Sequence, residues 1–257
     1  MDHERARMLT FERDLLRRTT TRTEPFRWGT AYLDDRFPLR WDSNLLWADA
    51  PLDGVGADEL AGEADRILGG AGLTHRNILV DDVVPSRRLA PRFVSLGYAW
   101  DRLLTMVLRG EPDRPPTVPV EEVDVETYVP IVADAIRPEP YATSEEVVDQ
   151  LAGHRRVLAA AGARFFIARV DGVPAGRCEL YLGDGVAQVE DVGTLEAYRG
   201  RGLARAVVLR AVREARAAGC DLIFLHADED DWPRHLYGKL GFEPFARWSA
   251  FDRPGAT

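Results

Sequence analysis

The chain has 257 residues, 46% of them hydrophobic, enough for one or two packed cores. A formal net charge of −9 excludes general affinity for nucleic acid or an anionic membrane surface, and it suits a cationic amine better than an anion. Two cysteines make no disulfide framework, no Cys/His cluster has zinc spacing, and no apolar run reaches the roughly 18 residues of a membrane span, so a soluble, cytoplasmic protein without metal is expected.

The N-terminal segment Met1–Arg7 is highly charged and has no apolar signal-peptide core behind it. Trp28, Trp41 and Trp47 read as core aromatics, with the wall of a substrate pocket as the alternative. An acidic, glycine-containing turn over 51–59 leads into a helix-patterned run over 57–71. An apolar strand at 76–80, a second apolar segment at 89–96 and the turn Gly97-Tyr98 follow. Pro112, Pro115, Pro116 and Pro119 then crowd one short stretch, removing backbone donors and disfavouring helix. That stretch predicts a boundary between domains at 1–112 and 113–257.

Beyond it, helices are predicted over 123–136 and 144–161, the second started by Ser144 with Glu145 and Glu146 in its first turn. A first strand near 118–123 stays unassigned. Strands at 164–170 and 174–182 form a hairpin across Asp171-Gly172, and Gly183-Asp184-Gly185 turns the chain into a strand at 186–195. Next come a glycine loop, a helix over 204–218, a buried strand at 221–227 and a short helix over 234–240 that Gly241 ends before Phe242.

The loop Tyr198-Arg199-Gly200-Arg201-Gly202-Leu203-Ala204-Arg205 carries the chemistry. Glycines there let backbone N–H groups converge on an anion at the positive end of the following helix, and Arg199, Arg201 and Arg205 add permanent charge. The single lysine, Lys239, rules out a P-loop, and Gly200-Arg201-Gly202 lacks the third glycine of a dinucleotide fingerprint. Arg199, Gly202 and Ala204 instead fit an Arg/Gln-x-x-Gly-x-Gly/Ala pattern. Tyr237 sits on the short helix that ends in Leu240-Gly241-Phe242. In this order and separation the two motifs resemble the signatures of the GCN5-related N-acetyltransferase (GNAT) family, over a region from about residue 118 to the C-terminus.

The resemblance implies an α+β fold, a mixed and largely antiparallel sheet flanked by helices, and acetyl-CoA as co-substrate. It places the pyrophosphate on the amides of Gly200, Arg201, Gly202, Leu203, Ala204 and Arg205, near Arg199, and the pantetheine arm along the backbone of Val192, Gly193 and Thr194. It gives Tyr237 the role of donor to the departing thiolate. Where the family often has a pantetheine-binding asparagine, this chain has Asp230, which could accept a hydrogen bond, cap the helix that Pro233 begins, or attract a cationic substrate. An amine must lose its proton to attack, and Glu190 and Asp191 on the strand before the loop point opposite ways, so one of them can face the cleft. Glu190, expected to share its face with Val192 and Thr194, is the preferred general base, with Asp191 or a water chain as alternatives. His226, at the end of its strand, is either a proton relay or a residue bonded to backbone.

The N-terminal half repeats the same order of helix, strand, helix, Leu-Gly-aromatic, and so resembles a second, degenerate GNAT-like domain. Its turn over 51–59 is acidic where a pyrophosphate would sit, so it is expected not to bind the cofactor there. The implied function is acetyl transfer to a primary amine of a small molecule or peptide by direct attack in a ternary complex. Neither nucleic acid nor membrane is an expected partner, and a homodimer is left open. The competing class is a non-catalytic acetyl-CoA-binding module that regulates another protein.

Overall fold

The computed structural model describes residues 2–81 and 83–255, which form two compact α+β units. One holds residues 13–104, 228–230 and 246 onward; the other holds the segment up to Glu12, 105–227 and 231–245. The proline-rich stretch lies inside the latter.

Helix α1 (Asp2–Thr19) opens the chain and contributes its residues from Arg13 onward to the first unit. There β1 (Arg22–Phe26), β2 (Gly29–Leu33) and β3 (Leu45–Ala48) form an antiparallel meander. Helix α2 (Ala57–Ala64) then crosses to β4 (Arg76–Val80), which lies parallel to β3. Helix patterning over 57–71 is interrupted: after Ala64 the backbone widens into a single π turn, Asp65–Gly69. Helix α3 (Val83–Ser95) ends at Gly97, and β5 (Ala99–Leu108) follows. The core gathers Trp28, Leu46, Leu60, Ile78, Phe93 and Tyr98. Trp28 is therefore a core aromatic, as is Trp47, whose Nε1 donates to Asp81 at 2.8 Å, while Trp41 stacks on His75.

The second unit repeats that order. Strand β6 (Glu121–Val123) resolves the unassigned segment and pairs with β7 after three helices intervene in sequence: α4 (Val125–Ile136), α5 (Glu145–Gly153) and α6 (Arg155–Ala160). The helix expected over 144–161 breaks at His154, although Ser144 caps its start by accepting from Val147 N at 3.2 Å. Strands β7 (Arg164–Val170), β8 (Val173–Gly183) and β9 (Val186–Thr194) are an antiparallel meander joined by the two expected turns. Helix α7 (Leu203–Ala217) crosses to β10 (Leu222–Asp228), parallel to β9, and α8 (Pro233–Lys239) leads into β11 (Phe242–Arg253). Residues 249–253 of β11 belong to the first unit and pair antiparallel with β4. The first turns of α1 lie on the second unit: Phe11 meets Phe224 edge-to-face at 6.0 Å, and Arg7 binds Asp221 at 2.5 Å.

Gly241 holds φ +94 at the end of α8, and a Cβ there would stand 2.3 Å from the Gly110 carbonyl oxygen. That oxygen belongs to a backbone that cannot give way, since Arg109 N and Gly110 N both donate to Gly241 O, at 2.8 and 3.0 Å. Gly241→Ala is expected to cost at least about 1–3 kcal/mol. Gly238→Ala, in the same helix with open space around it, is expected to be neutral or stabilising. Paired thermal melts of the two variants test this; equal melting temperatures would contradict it.

Candidate active site

Strand β9 pairs with β10 only from Val186–Val189 to Leu222–Leu225, although both strands run on. The divergence has a local cause. On its other edge β9 slips register against β8: Glu190 faces Glu179, but Gly193 faces Arg177, so three steps on β9 answer two on β8. The extra residue is a bulge, and Asp191 takes the left-handed φ of +47 within it. Bending at the bulge leaves 190–194 paired on the β8 side and unpaired with β10 among the described residues.

A buried charge network pins the bulge. Asp191 accepts from Arg177 Nε at 2.9 Å and Nη2 at 3.2 Å, from Tyr128 Oη at 3.3 Å, and lies 3.3 Å from Arg155. Arg155 also binds Glu179, fully buried, at 2.7 Å, and Tyr181 Oη donates to the same carboxylate. Two guanidinium groups thus meet two carboxylates away from water, where leaving either acid unpaired would be strongly destabilising. Burial alone would raise the Asp191 carboxyl, but Arg155 and Arg177 outweigh it and hold it below its usual range. Asp191 is a poor proton acceptor by construction. The sequence shows one trace of this: Arg177 and Glu179 alternate with apolar Cys178 and Leu180 on a strand that otherwise reads as core.

Glu190, its neighbour, is in the opposite electrostatic state. It lies beside Gln188, whose Nε2 donates to Oε1 at 2.7 Å, and has no guanidinium of its own among the described residues. Burial pushes its carboxyl up to about 7; His226 and the Gln188 bond pull it down, and Glu12 and Glu179 push it up. His226, on β10, contacts Glu12 Oε1 through Nε2 at 2.6 Å and Thr105 Oγ1 through Nδ1 at 3.2 Å. Tyr237 is buried on α8. Burial, then the Glu190 charge, holds its pKa well above the ordinary value, which keeps the proton on.

Past the open segment, a 3₁₀ turn at Glu196–Tyr198 leads to Gly200 and Gly202, at φ +77 and +80. Left-handed φ at both positions turns the loop so that α7 starts abruptly at Leu203. Arg199 N is taken by Glu196 O and Ala206 N by Gly202 O, but none of the six amides from Gly200 to Arg205 has an acceptor among the described residues. Six consecutive free donors at the positive end of a helix of 15 residues suit an anion. Thr194 Oγ1 is likewise buried without a partner.

The structure bears on three sequence expectations. Arg205 does not offer its charge to that anion: its side chain is buried, 2.5 Å from Asp113 and donating to Arg114 O, so only its amide remains. Arg199 and Arg201 are exposed, Arg201 over the Tyr198 ring. Asp230 belongs to the other unit, where it pairs with Arg102. Finally, the bulge breaks strand alternation, so Gly193 takes the face of Glu190 that was assigned to Val192 and Thr194. A Cβ on Gly193 would meet Arg177 Nη1 at 2.3 Å.

The segment that builds most of this geometry, residues 130–242, matches the Acetyltransferase (GNAT) family. Over these residues the chain is similar to the GNAT acetyltransferases. Glucosamine 6-phosphate N-acetyltransferase of Trypanosoma brucei brucei is 34% identical over 70 residues, which are 27% of this chain and 46% of that protein, so less than half of the relative is matched. Among solved structures, a GCN5-related N-acetyltransferase from Kribbella flavida aligns over 98% of this chain and 96% of its own, with a TM-score of 0.65 at 24% identity. A tandem GNAT protein from the clavulanic acid biosynthesis pathway aligns over 78% and 70%, with a TM-score of 0.52 at 17% identity. At these identities the likeness is one of fold: the GNAT α+β architecture expected from the sequence is the one found.

The state of Glu190 has a consequence for stability. Its ordinary value is near 4.5, so the fold favours the protonated acid; that contribution is complete below about 4.5 and is lost as pH rises through about 7. Glu190→Gln removes the dependence. Relative to wild type, the variant is expected to gain stability steadily from about pH 5 to about pH 8, by up to roughly 3 kcal/mol. Denaturant melts across that range test it, and a pH-independent difference would contradict it.

Proposed function

We propose that this GNAT protein is an acetyl-CoA-dependent N-acetyltransferase acting on a primary amine. The observation that carries the reading is the run of free amides from Gly200 to Arg205 beside a strand segment, 192–194, whose backbone is open on one edge. A diphosphate fits the first, and an amide-bearing pantetheine arm fits the second as an added strand. The buried, unpartnered Thr194 hydroxyl suits a polar ligand in the same place. Bound acetyl-CoA supplies the thioester.

Each protein group then has a task that its environment prepares. The ammonium proton of the acceptor passes to Glu190, whose raised pKa makes it a base near neutral pH. The freed nitrogen attacks the thioester carbonyl, Tyr237 gives its retained proton to the sulfur as the C–S bond breaks, and the second proton, which the nitrogen sheds on becoming an amide, restores the Tyr237 phenol. Direct attack is favoured over a covalent cysteine route. Cys178 is fully buried, donates to Val207 O, and burial pushes its thiol well above the ordinary value, so it lacks the thiolate character of a nucleophile.

In the first unit, the turn before α2 is closed to such a ligand in this reading. Gly56 N is already bound by the Glu59 carboxylate at 2.9 Å, and Asp58 is paired with Arg92. A helix start capped by its own acid has no need of a phosphate.

Purified protein should release free thiol from acetyl-CoA when offered a panel of amines that includes glucosamine 6-phosphate and polyamines. Gly202→Glu should abolish acetyl-CoA binding by calorimetry. Tyr237→Phe should lower turnover about 10²-fold with little change in affinity, and Glu190→Gln should lower it by roughly 10²- to 10⁴-fold. Binding without thiol release on any amine would favour the non-catalytic module. Unaltered binding by Gly202→Glu would overturn the loop assignment.

A further inference from the structure

Glu12 and Thr105 lie outside the segment that matches the GNAT family, yet both reach His226, one residue beyond the last pairing of β10 with β9. Extending the register sets His226 opposite Glu190. Its ring is held on both sides, Nε2 against a carboxylate at 2.6 Å and Nδ1 against a hydroxyl at 3.2 Å. A hydroxyl accepts as readily as it donates, so both ring nitrogens can carry protons at once. Phe224 fixes the imidazole edge-to-face at 5.5 Å, and Phe11, the residue before Glu12, packs on Phe224 in turn. The Arg7–Asp221 and Glu4–Arg109 pairs tie the same helix to the unit. An added helix is thus anchored at three places and delivers one acid to the strand end beside Glu190.

We propose that Glu12 and His226 form a positioning dyad that acts through Glu190: Glu12 holds an imidazolium beside that carboxylate and so keeps it in the basic form that accepts the amine proton. This rests on the acetyltransferase reading above. Without a cation there, the titratable groups acting on Glu190 among the described residues are acids and phenols, Glu12 from α1, Glu179 and Tyr181 from β8, and Tyr237 from α8, with the Gln188 amide as its one neutral donor among them. Asp191, next in sequence, keeps its own guanidinium partners. Burial and these like charges would leave Glu190 protonated at neutral pH, and an acid already carrying a proton cannot take another. Among the described residues, the dyad supplies the opposing charge that acts on Glu190. Glu12 alone is a repulsive neighbour; bound to His226 it becomes the reason that a cation stays.

The dual role of Glu12 gives a reversal of sign that packing alone would not produce. ¹³C-labelled glutamate and histidine report both groups by NMR in the substrate-free full chain, with Glu190→Gln and His226→Gln assigning the signals. His226→Gln is expected to raise the Glu190 midpoint by about one unit. Glu12→Gln should also raise it, because the imidazolium is lost, and the His226 resonances should show the neutral ring near pH 7. In the His226→Gln background the same Glu12→Gln change should instead lower the midpoint, since only repulsion is removed. Thr105→Val, which leaves both charges in place, guards against loss of fold and should raise the midpoint by less than Glu12→Gln does. An unmoved Glu190 midpoint in His226→Gln, or a fall on Glu12→Gln in both backgrounds, would overturn the dyad. Failure of the wider reading shows separately: no thiol release by wild type, or full turnover by Glu190→Gln, would reject the base role while leaving the NMR coupling as measured.

Discussion

One ion-pair network, Arg155 and Arg177 against Asp191 and Glu179, sets the geometry on which the rest of the GNAT half depends. A bulge in a strand costs a ladder bond and holds one residue in left-handed backbone, so something must over-determine it. Here the over-determination is electrostatic: Asp191 cannot leave its bulged conformation without abandoning two buried guanidinium groups. Because the bulge turns β9 away from β10, residues 190–194 are left without the β10 pairing that a regular sheet would give them, among the described residues. The opening is therefore a consequence of charge burial in the strand, and needs no loop to make it.

The same two residues divide two kinds of work. Asp191 and Glu190 are adjacent and chemically alike, yet one is held ionised by guanidinium groups and the other is pushed up to about 7 by burial. Environment, more than residue type, decides which acid can serve as base and which serves as a structural anchor. The glycine loop follows a similar economy. Gly200 and Gly202 turn the backbone so that α7 begins with amides that have no acceptor among the described residues, and the nearby arginine Arg205 braces the proline-rich segment through Asp113 and Arg114, while Arg199 and Arg201 stay exposed.

Much of this was legible from residue order. Both GNAT motifs, the meander turns at Asp171-Gly172 and Gly183-Gly185, the capping by Ser144 and the Gly241 stop are local features, and local propensities report them. The echo between halves was legible as well, because each repeats a Leu-Gly-aromatic stop after a helix, and Gly97 and Gly241 share left-handed φ. Elements without such punctuation escaped notice: α1, with charge on most of its faces, and the short strands β1 to β3. The break at His154 and the π turn after Ala64 also left no mark in the apolar spacing.

Sequence by itself determined the family resemblance, the glycine loop ahead of a helix and the candidate acids, since each depends on neighbours within a few positions along the chain. Tertiary structure alone decided how strand alternation fails at Asp191, that the Arg205 side chain turns inward, that Asp230 pairs with Arg102 in the other unit, and that Glu12 comes to lie against His226. Those outcomes join residues as many as 214 positions apart, or depend on a one-residue slip between strands, and neither distance nor register is written in local pattern.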